Sequence, residues 1–351
     1  MWSLVNRTHY AADRGWIRDK HGAEIWVVAV KATYDVAADG SLSLAADQVP
    51  VFGGPMKDAA SGELRYETDL GPPKSGTDVV LIGSAHSPTG APVTELRVAF
   101  QVGSLMRAAM VYGDRLWRKT LLGHSPGRPE PFVSMPLSYA RAFGGDGGDE
   151  APDTTGTGNP LGRGIMRPGD DRFLMPNVED FHQHLSTPGD RPPVAAFGPV
   201  PDHWLWRLRH AGTYDDHWFE HRRPLLPQDV DERSWRIAPP AQQLASPLKG
   251  GEPVALLNLI RPGFCAGSRL QFELPRLSLG FETRFYDSSV ERSRSSIHTL
   301  ILEPEWPRVT VVHHMSLPCH PKVNLLDRTI ISEKRRPLDQ PQAAADLALA
   351  S

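Results

Sequence analysis

The stretch Ile25-Trp26-Val27-Val28-Ala29-Val30-Lys31-Ala32-Thr33-Tyr34-Asp35 decides the fold class. It is crowded with β-branched and aromatic residues, the types that suit a pleated, half-buried surface. Asp39-Gly40 then offers a hairpin turn before Leu42 and Leu44 alternate with serines, so a β-hairpin is expected. Over residues 93–102, Leu96, Val98, Phe100 and Val102 point one way while Glu95, Arg97 and Gln101 point the other, the period of two of a half-buried strand. Residues 106–112 are expected to pair with it, and Gly113-Asp114 to turn the chain into Arg115-Leu116-Trp117, so that 78–122 reads as an antiparallel meander. Residues 276–286 alternate in the same way, and 254–260, 270–274, 297–302 and 309–315 add further strands.

Glycine (31) and proline (33) are frequent among the 351 residues, which favours strands joined by loops over long helices. Two short helices are expected, one over 178–185 and one capped by Thr213, with Asp216 as its box partner, running to about Arg222 and ended by Pro224. The expected fold is mainly β, antiparallel sheets, sandwich-like or meander, in two packed regions with a few short helices. Residues 1–143 form an N-terminal β region and 144–170 a glycine-rich loop; 171–330 form a second β-rich region with short helices and 331–351 a flexible tail.

Charge and composition narrow the function. Lys and Arg number 38 against 41 Asp and Glu, a formal charge of −3, with no basic run longer than Lys334-Arg335-Arg336, which argues against nucleic acid as a partner. No apolar window approaches a membrane span, and the N-terminus lacks the apolar stretch of a signal peptide. Two cysteines, Cys265 and Cys319, are too few for a disulfide framework. A cytoplasmic protein that does not enter membranes is expected.

The sharpest enzymatic pattern is His217-Trp218-Phe219-Glu220-His221, an H-x-x-E-H sequence like that of inverted zinc peptidases. On a helix the two histidines share a face and could hold zinc with Glu220 as general base, with Glu282 and Glu291 as candidates for a third ligand. Against this stands a partly exposed helix whose histidines merely flank Trp218. His182 with His184 and His313-His314 lack the spacing and partners of a metal site. The run Phe143-Gly144-Gly145-Asp146-Gly147-Gly148 lacks the context of a phosphate loop. Trp204 and Trp206, beside Arg207, are residue types that dominate protein interfaces, and the tryptophans could alternatively stack on a sugar or sit in an ordinary core.

Several passages together resemble one family, uncharacterised bacterial proteins labelled as a domain of unknown function and encoded in type VI secretion clusters beside VgrG, PAAR and effector genes. The resemblance runs from Asn6 to about Pro318. In the first half it rests on Val30-Lys31-Ala32-Thr33-Tyr34, Tyr66-Glu67-Thr68-Asp69-Leu70, Lys74 with Thr77-Asp78-Val79, and Gly113-Asp114-Arg115-Leu116-Trp117. In the second half it rests on Tyr139-Ala140-Arg141-Ala142-Phe143-Gly144-Gly145, Asn159-Pro160 with Gly162-Arg163-Gly164, Gly212-Thr213-Tyr214-Asp215 with Trp218, and Pro227-Gln228-Asp229.

The resemblance implies a non-catalytic adaptor or chaperone without metal or cofactor. Such a protein would stabilise a secreted effector, often one joined to a PAAR tip, for loading on the VgrG spike. Histidine at 217 and 221 is not part of that pattern. The resemblance assigns no partner-binding positions; from residue type, partner contact is expected at Trp204, Trp206, Arg207 and Trp218. No role is assigned to Lys74, Asp78, Arg115, Trp117, Arg141, Asn159, Arg163, Asp215 or Asp229; Asp78, Arg115 and Arg141 would serve as paired charges fixing loops or as effector contacts. The rival functions are a metal-dependent hydrolase and a structural or carbohydrate-binding β module.

Overall fold

A computed structural model describes residues 1–59, 61–121, 123–145, 156–165 and 173–334. It is mainly β, and its α-helices among the described residues are the short Leu205–Leu208 and Asp216–His221. The decisive stretch becomes the long strand Glu24–Val36 of a six-stranded sheet. The sheet runs in the order Ala11–Arg18, Glu24–Val36, Arg308–Pro318, Ser296–Glu303, Asp78–Leu81, with Leu42–Leu44 also pairing to Glu24–Val36. All neighbours are antiparallel except Asp78–Leu81, which lies parallel to Ser296–Glu303.

Side-chain alternation gives this sheet two different faces. On one face Trp26, Val28, Val30, Ala32 and Met315 pack with Leu279, Phe281, Leu326 and Ile331 of a four-stranded sheet. Further along the same face, Val309, Val311 and Leu300 pack with Val98, Phe100, Val254 and Leu256 of a five-stranded sheet. The two smaller sheets thus share one side of the large one, a sandwich whose second layer is split. Trp26 fastens it where apolar contact alone would leave a polar atom stranded: its indole Nε1 donates to Thr329 Oγ1 at 2.9 Å, 1% of the residue being exposed. The opposite face carries Lys31, opposite Val312 in the register, together with Asp78 and His314, and is covered by loops, short helices and Tyr66 from a two-stranded ribbon.

Several sequence expectations are corrected. Residues 78–122 are not one meander. Asp78–Leu81, buried along its whole length, belongs to the central sheet, whereas Glu95–Val102 and Leu105–Tyr112 form a hairpin in the five-stranded sheet. Trp117–Thr120 and Gly123–Pro126 make a ribbon of their own. Nor do 178–185 form a helix: Val178–Asp180 is a strand against Leu105–Tyr112, because Val178 and Glu179 are buried where the sheet satisfies their backbone.

The sheets are not segregated on either side of residues 144–170. The central sheet joins strands from before residue 143 to strands after 290, and the five-stranded sheet joins Glu95–Val102 to Pro253–Leu257. Within the glycine-rich segment, Phe143–Gly144 pairs in parallel with Arg163–Gly164. Residues 146–155 and 166–172, and the expected flexible tail from 335 onward, lie outside the described residues.

Candidate functional site

The loop-covered face of the central sheet gathers Lys31, Glu67, Asp69, Lys74 and Asp78 of the first-half motifs into one buried ionic centre. Lys31, fully buried, reaches Asp69 at 2.9 Å and lies over the Phe52 ring at 4.3 Å. Burial pushes the Asp69 carboxyl up and the Lys31 ammonium down, and the opposite charge of each opposes the other's shift. Asp78, also fully buried, accepts from Lys74 Nζ at 2.8 Å, Arg236 Nε at 2.6 Å and the Ile237 backbone N–H at 2.8 Å. Arg207 donates to Glu67 at 2.7 Å and to the carbonyls of Ser234 and Val200.

A chamber of about 180 Å³ lies among Glu67, Asp69, Lys74, Arg207 and His298. The His298 Nε2 accepts the Lys74 backbone N–H at 3.3 Å, and its ring stacks on His314 at 4.1 Å. Burial and the neighbouring cations push His298 far below the ordinary histidine range, so it stays neutral. Four cations and three carboxylates here bond chiefly to one another and to backbone, which ties residues 66–78, 205–208 and 232–237 onto the sheet. Such pairs are costly to desolvate and more costly to break, so they hold these loop segments in place on the sheet.

A second anchor uses Arg115, Trp117, Arg141, Asn159 and Arg163. Arg115 pairs with buried Glu179 and lies over the Tyr112 ring at 3.8 Å. Burial pushes Glu179 up, and the Arg115 charge opposes that shift. Asn177 donates to Asp114 at 2.8 Å and accepts from Arg141 at 3.0 Å, while Arg163 Nε donates to the Ala140 carbonyl at 2.7 Å. Asn159, fully buried, donates to the carbonyls of Tyr139 and Phe143 at 2.9 and 3.0 Å. Trp117 is buried with Phe143, Met175 and Leu185. Arg141 and Arg163 also line an open cleft of about 580 Å³ that includes Arg65 and Trp306.

The expected partner-contact residues divide. Trp204 is 2% exposed and packs edge-on to Tyr139 at 4.8 Å, and Arg207 is locked in the ionic centre, so neither presents a face to a partner or a sugar. Trp206 is half-buried against Tyr139 and Gly158. Trp218 belongs to a different feature, a projection over residues 210–231 closed at its base by the Asp231 N–H donating to the His210 carbonyl at 3.0 Å.

This projection is held together by polar ties. Asp229 accepts from the Thr213 N–H and hydroxyl at 3.0 and 2.8 Å, and the Trp218 indole donates to the Leu225 carbonyl at 2.8 Å. The helix cap is Asp215, which accepts the Trp218 N–H at 2.8 Å; Thr213 is not the cap, because Asp229 engages it. Gly212 takes φ +87°, and a Cβ there would lie 2.6 Å from Pro227 Cβ and 2.9 Å from Asp229 Oδ1, so only glycine fits. The motif residues therefore shape the projection from within. They leave Tyr214 54% and Phe219 58% exposed, and the helix Asp216–His221 buries none of its residues.

His217 and His221 do stand on one face of that helix, ring centroids 4.8 Å apart. Of the expected third ligands, Glu282 is engaged by Arg284 and Arg292 at 2.8 and 3.0 Å, and Glu291 lies on the exposed strand Val290–Arg294. Among the described residues no group of three or more His, Cys, Asp or Glu is placed to hold a metal ion. Both cysteines are free thiols, and burial pushes that of Cys319 up to about 11. Sequence reasoning missed Arg236, Asn177 and Glu179, which carry no local signal. Lys31, a lone cation in an apolar run, does carry one.

Fold and site together define a mainly β protein with clusters of paired buried charges, and with exposed aromatic rings that include Tyr214 and Phe219 on the segment 210–231. A family model described as "Uncharacterized protein conserved in bacteria (DUF2169)" matches residues 21–314, and the chain belongs to that family. No curated protein and no solved structure matches it. No described helix is long and apolar enough to cross a membrane.

Proposed function

We propose that this protein is a non-catalytic, cytoplasmic adaptor or chaperone of type VI secretion. It binds a secreted effector, including one joined to a PAAR tip, and stabilises it for loading on the VgrG spike. The observation that carries the reading is the projection: Gly212, Thr213, Asp215, Trp218 and Asp229 hold it in shape while Tyr214 and Phe219 stay exposed. Folding gains little from ordering exposed rings, whereas a partner gains from meeting them already ordered, since less side-chain freedom is then lost on association. Large aromatics in such a setting are the residue type that anchors protein interfaces.

The test is co-expression with the effector-like protein encoded beside it. Co-purification at fixed stoichiometry, with the effector insoluble when expressed alone, supports the reading. An effector that is soluble alone and does not co-purify defeats it.

A further inference from the structure

The four-stranded and five-stranded sheets lie side by side on one face of the central sheet, and a groove of about 800 Å³ is lined from both sides of that seam. Five separate chain segments line it: 247–249, 277–280, 292–297, His313 and Lys334. Its charged lining residues are Lys249, Arg292, Arg294 and Lys334, with no carboxylate among them, in a chain whose net charge is −3. Arg292 is shared with Glu282 at 3.0 Å, while the side chains of Lys249, Arg294 and Lys334 form no ion pair among the described residues, although the Lys249 backbone N–H donates to the Glu252 carboxylate at 2.7 Å. Lys249, Arg294 and Lys334 are exposed.

The floor carries a second signal. His313 is 4% exposed, its Nδ1 lies 3.2 Å from Ser295 Oγ, and its Nε2 has no hydrogen-bond partner. When the serine hydroxyl donates to Nδ1, Nε2 carries the proton and is an unsatisfied buried donor, which costs stability until an acceptor arrives. Ser293, Ser295 and Ser296 add hydroxyls, and Leu277, Leu279 and Ile297 add apolar lining. The volume suits a ligand of several residues rather than a single ion.

We propose that this groove binds an acidic peptide segment, carboxylates on the cations and apolar side chains against the leucines. The site is separate from the projection and stands without the adaptor reading. It can be tested with the full chain and synthetic probes alone: a fluorescein-labelled hexapeptide alternating Glu and Leu, its Gln–Leu counterpart, and inorganic pyrophosphate as competitor, read by fluorescence anisotropy.

The Glu–Leu probe is expected to bind at least tenfold tighter than Gln–Leu. The Lys249→Gln/Arg294→Gln double variant should weaken it at least tenfold, and Arg118→Gln, on an exposed ribbon elsewhere, should leave it unchanged. Both variants change exposed side chains, and matched thermal midpoints would show that folding is intact. Equal binding of the two peptides would reveal mere apolar adhesion, wild-type affinity in the double variant would remove the groove, and pyrophosphate binding as tight as the peptide would replace the peptide with a phosphate compound. Each of these overturns the proposal.

Discussion

At the scale of single residues, Lys31 shows how the apolar strand and the ionic centre meet. Its ammonium is fully buried against Asp69, so removing it leaves an uncompensated carboxylate inside the protein. Lys31→Met should lower unfolding free energy by about 3–5 kcal/mol in urea titrations, and Lys31→Met with Asp69→Leu should recover most of that loss. Equal destabilisation by the single and double variants would mean that the pair is not the source.

The histidines make a second prediction, in pH. Burial holds His313 and His314 down to about 4, against 6.5 for the free side chain. Both states leave them neutral above pH 6.5, where this contribution to stability is complete; as pH falls below it, the unfolded chain takes up protons that the folded one refuses. Stability should therefore drop as pH falls from about 6.5 to about 4, each histidine contributing up to about 3 kcal/mol by the time pH reaches its folded value. His314→Gln should flatten that slope, and an unchanged slope would contradict the assignment. Lys31 and Asp69 entered the sequence reading only inside the family-like passages Val30-Lys31-Ala32-Thr33-Tyr34 and Tyr66-Glu67-Thr68-Asp69-Leu70. Their pairing with each other, and that of Asp78 with Arg236, was not legible, because charge pairing across 38 or 158 residues leaves no local pattern.

At the scale of elements, alternation was the reliable signal. The strands Glu95–Val102 and Leu279–Phe285 fall where the period of two placed them, and Arg308–Pro318 covers the further candidate at 309–315. Helix ends were less legible: Thr213 and Asp215 are both good caps, and what decides between them is Asp229, sixteen residues away, which takes Thr213 for itself. The projection they shape yields two predictions. Gly212→Ala forces a Cβ into Pro227, so it should abolish effector capture while the thermal midpoint of the body changes little. Joint loss of capture and global stability would show instead that the projection is part of the core. His217→Ala/His221→Ala should leave metal content and thermal midpoint unaltered in protein purified with zinc, whereas the hydrolase alternative requires stoichiometric zinc that the double variant loses.

At the scale of the whole molecule, the mainly β class was legible from composition and period, but the assembly of the sheets was not. Proline and glycine mark where strands stop, and the glycine-rich segment after Phe143 looks like a boundary; sheet pairing nevertheless joins strands across it, as Glu24–Val36 does with Arg308–Pro318. Only tertiary packing brings such distant segments together. The same interleaving fixes the projection to the body: Arg222 donates to the Lys20 carbonyl at 2.6 Å, and Lys20 to the Gln228 carbonyl at 3.0 Å. The chain thus pairs its buried charges inside the body and presents Tyr214 and Phe219 on the segment 210–231. The most direct test is co-purification of the neighbouring effector with the wild-type chain and with Tyr214→Ser/Phe219→Ser, two exposed positions, the thermal midpoints of the two chains being compared alongside. Capture by the wild type with at least a tenfold loss in the double variant is the expected result, and equal capture by both chains would contradict the assignment of this surface.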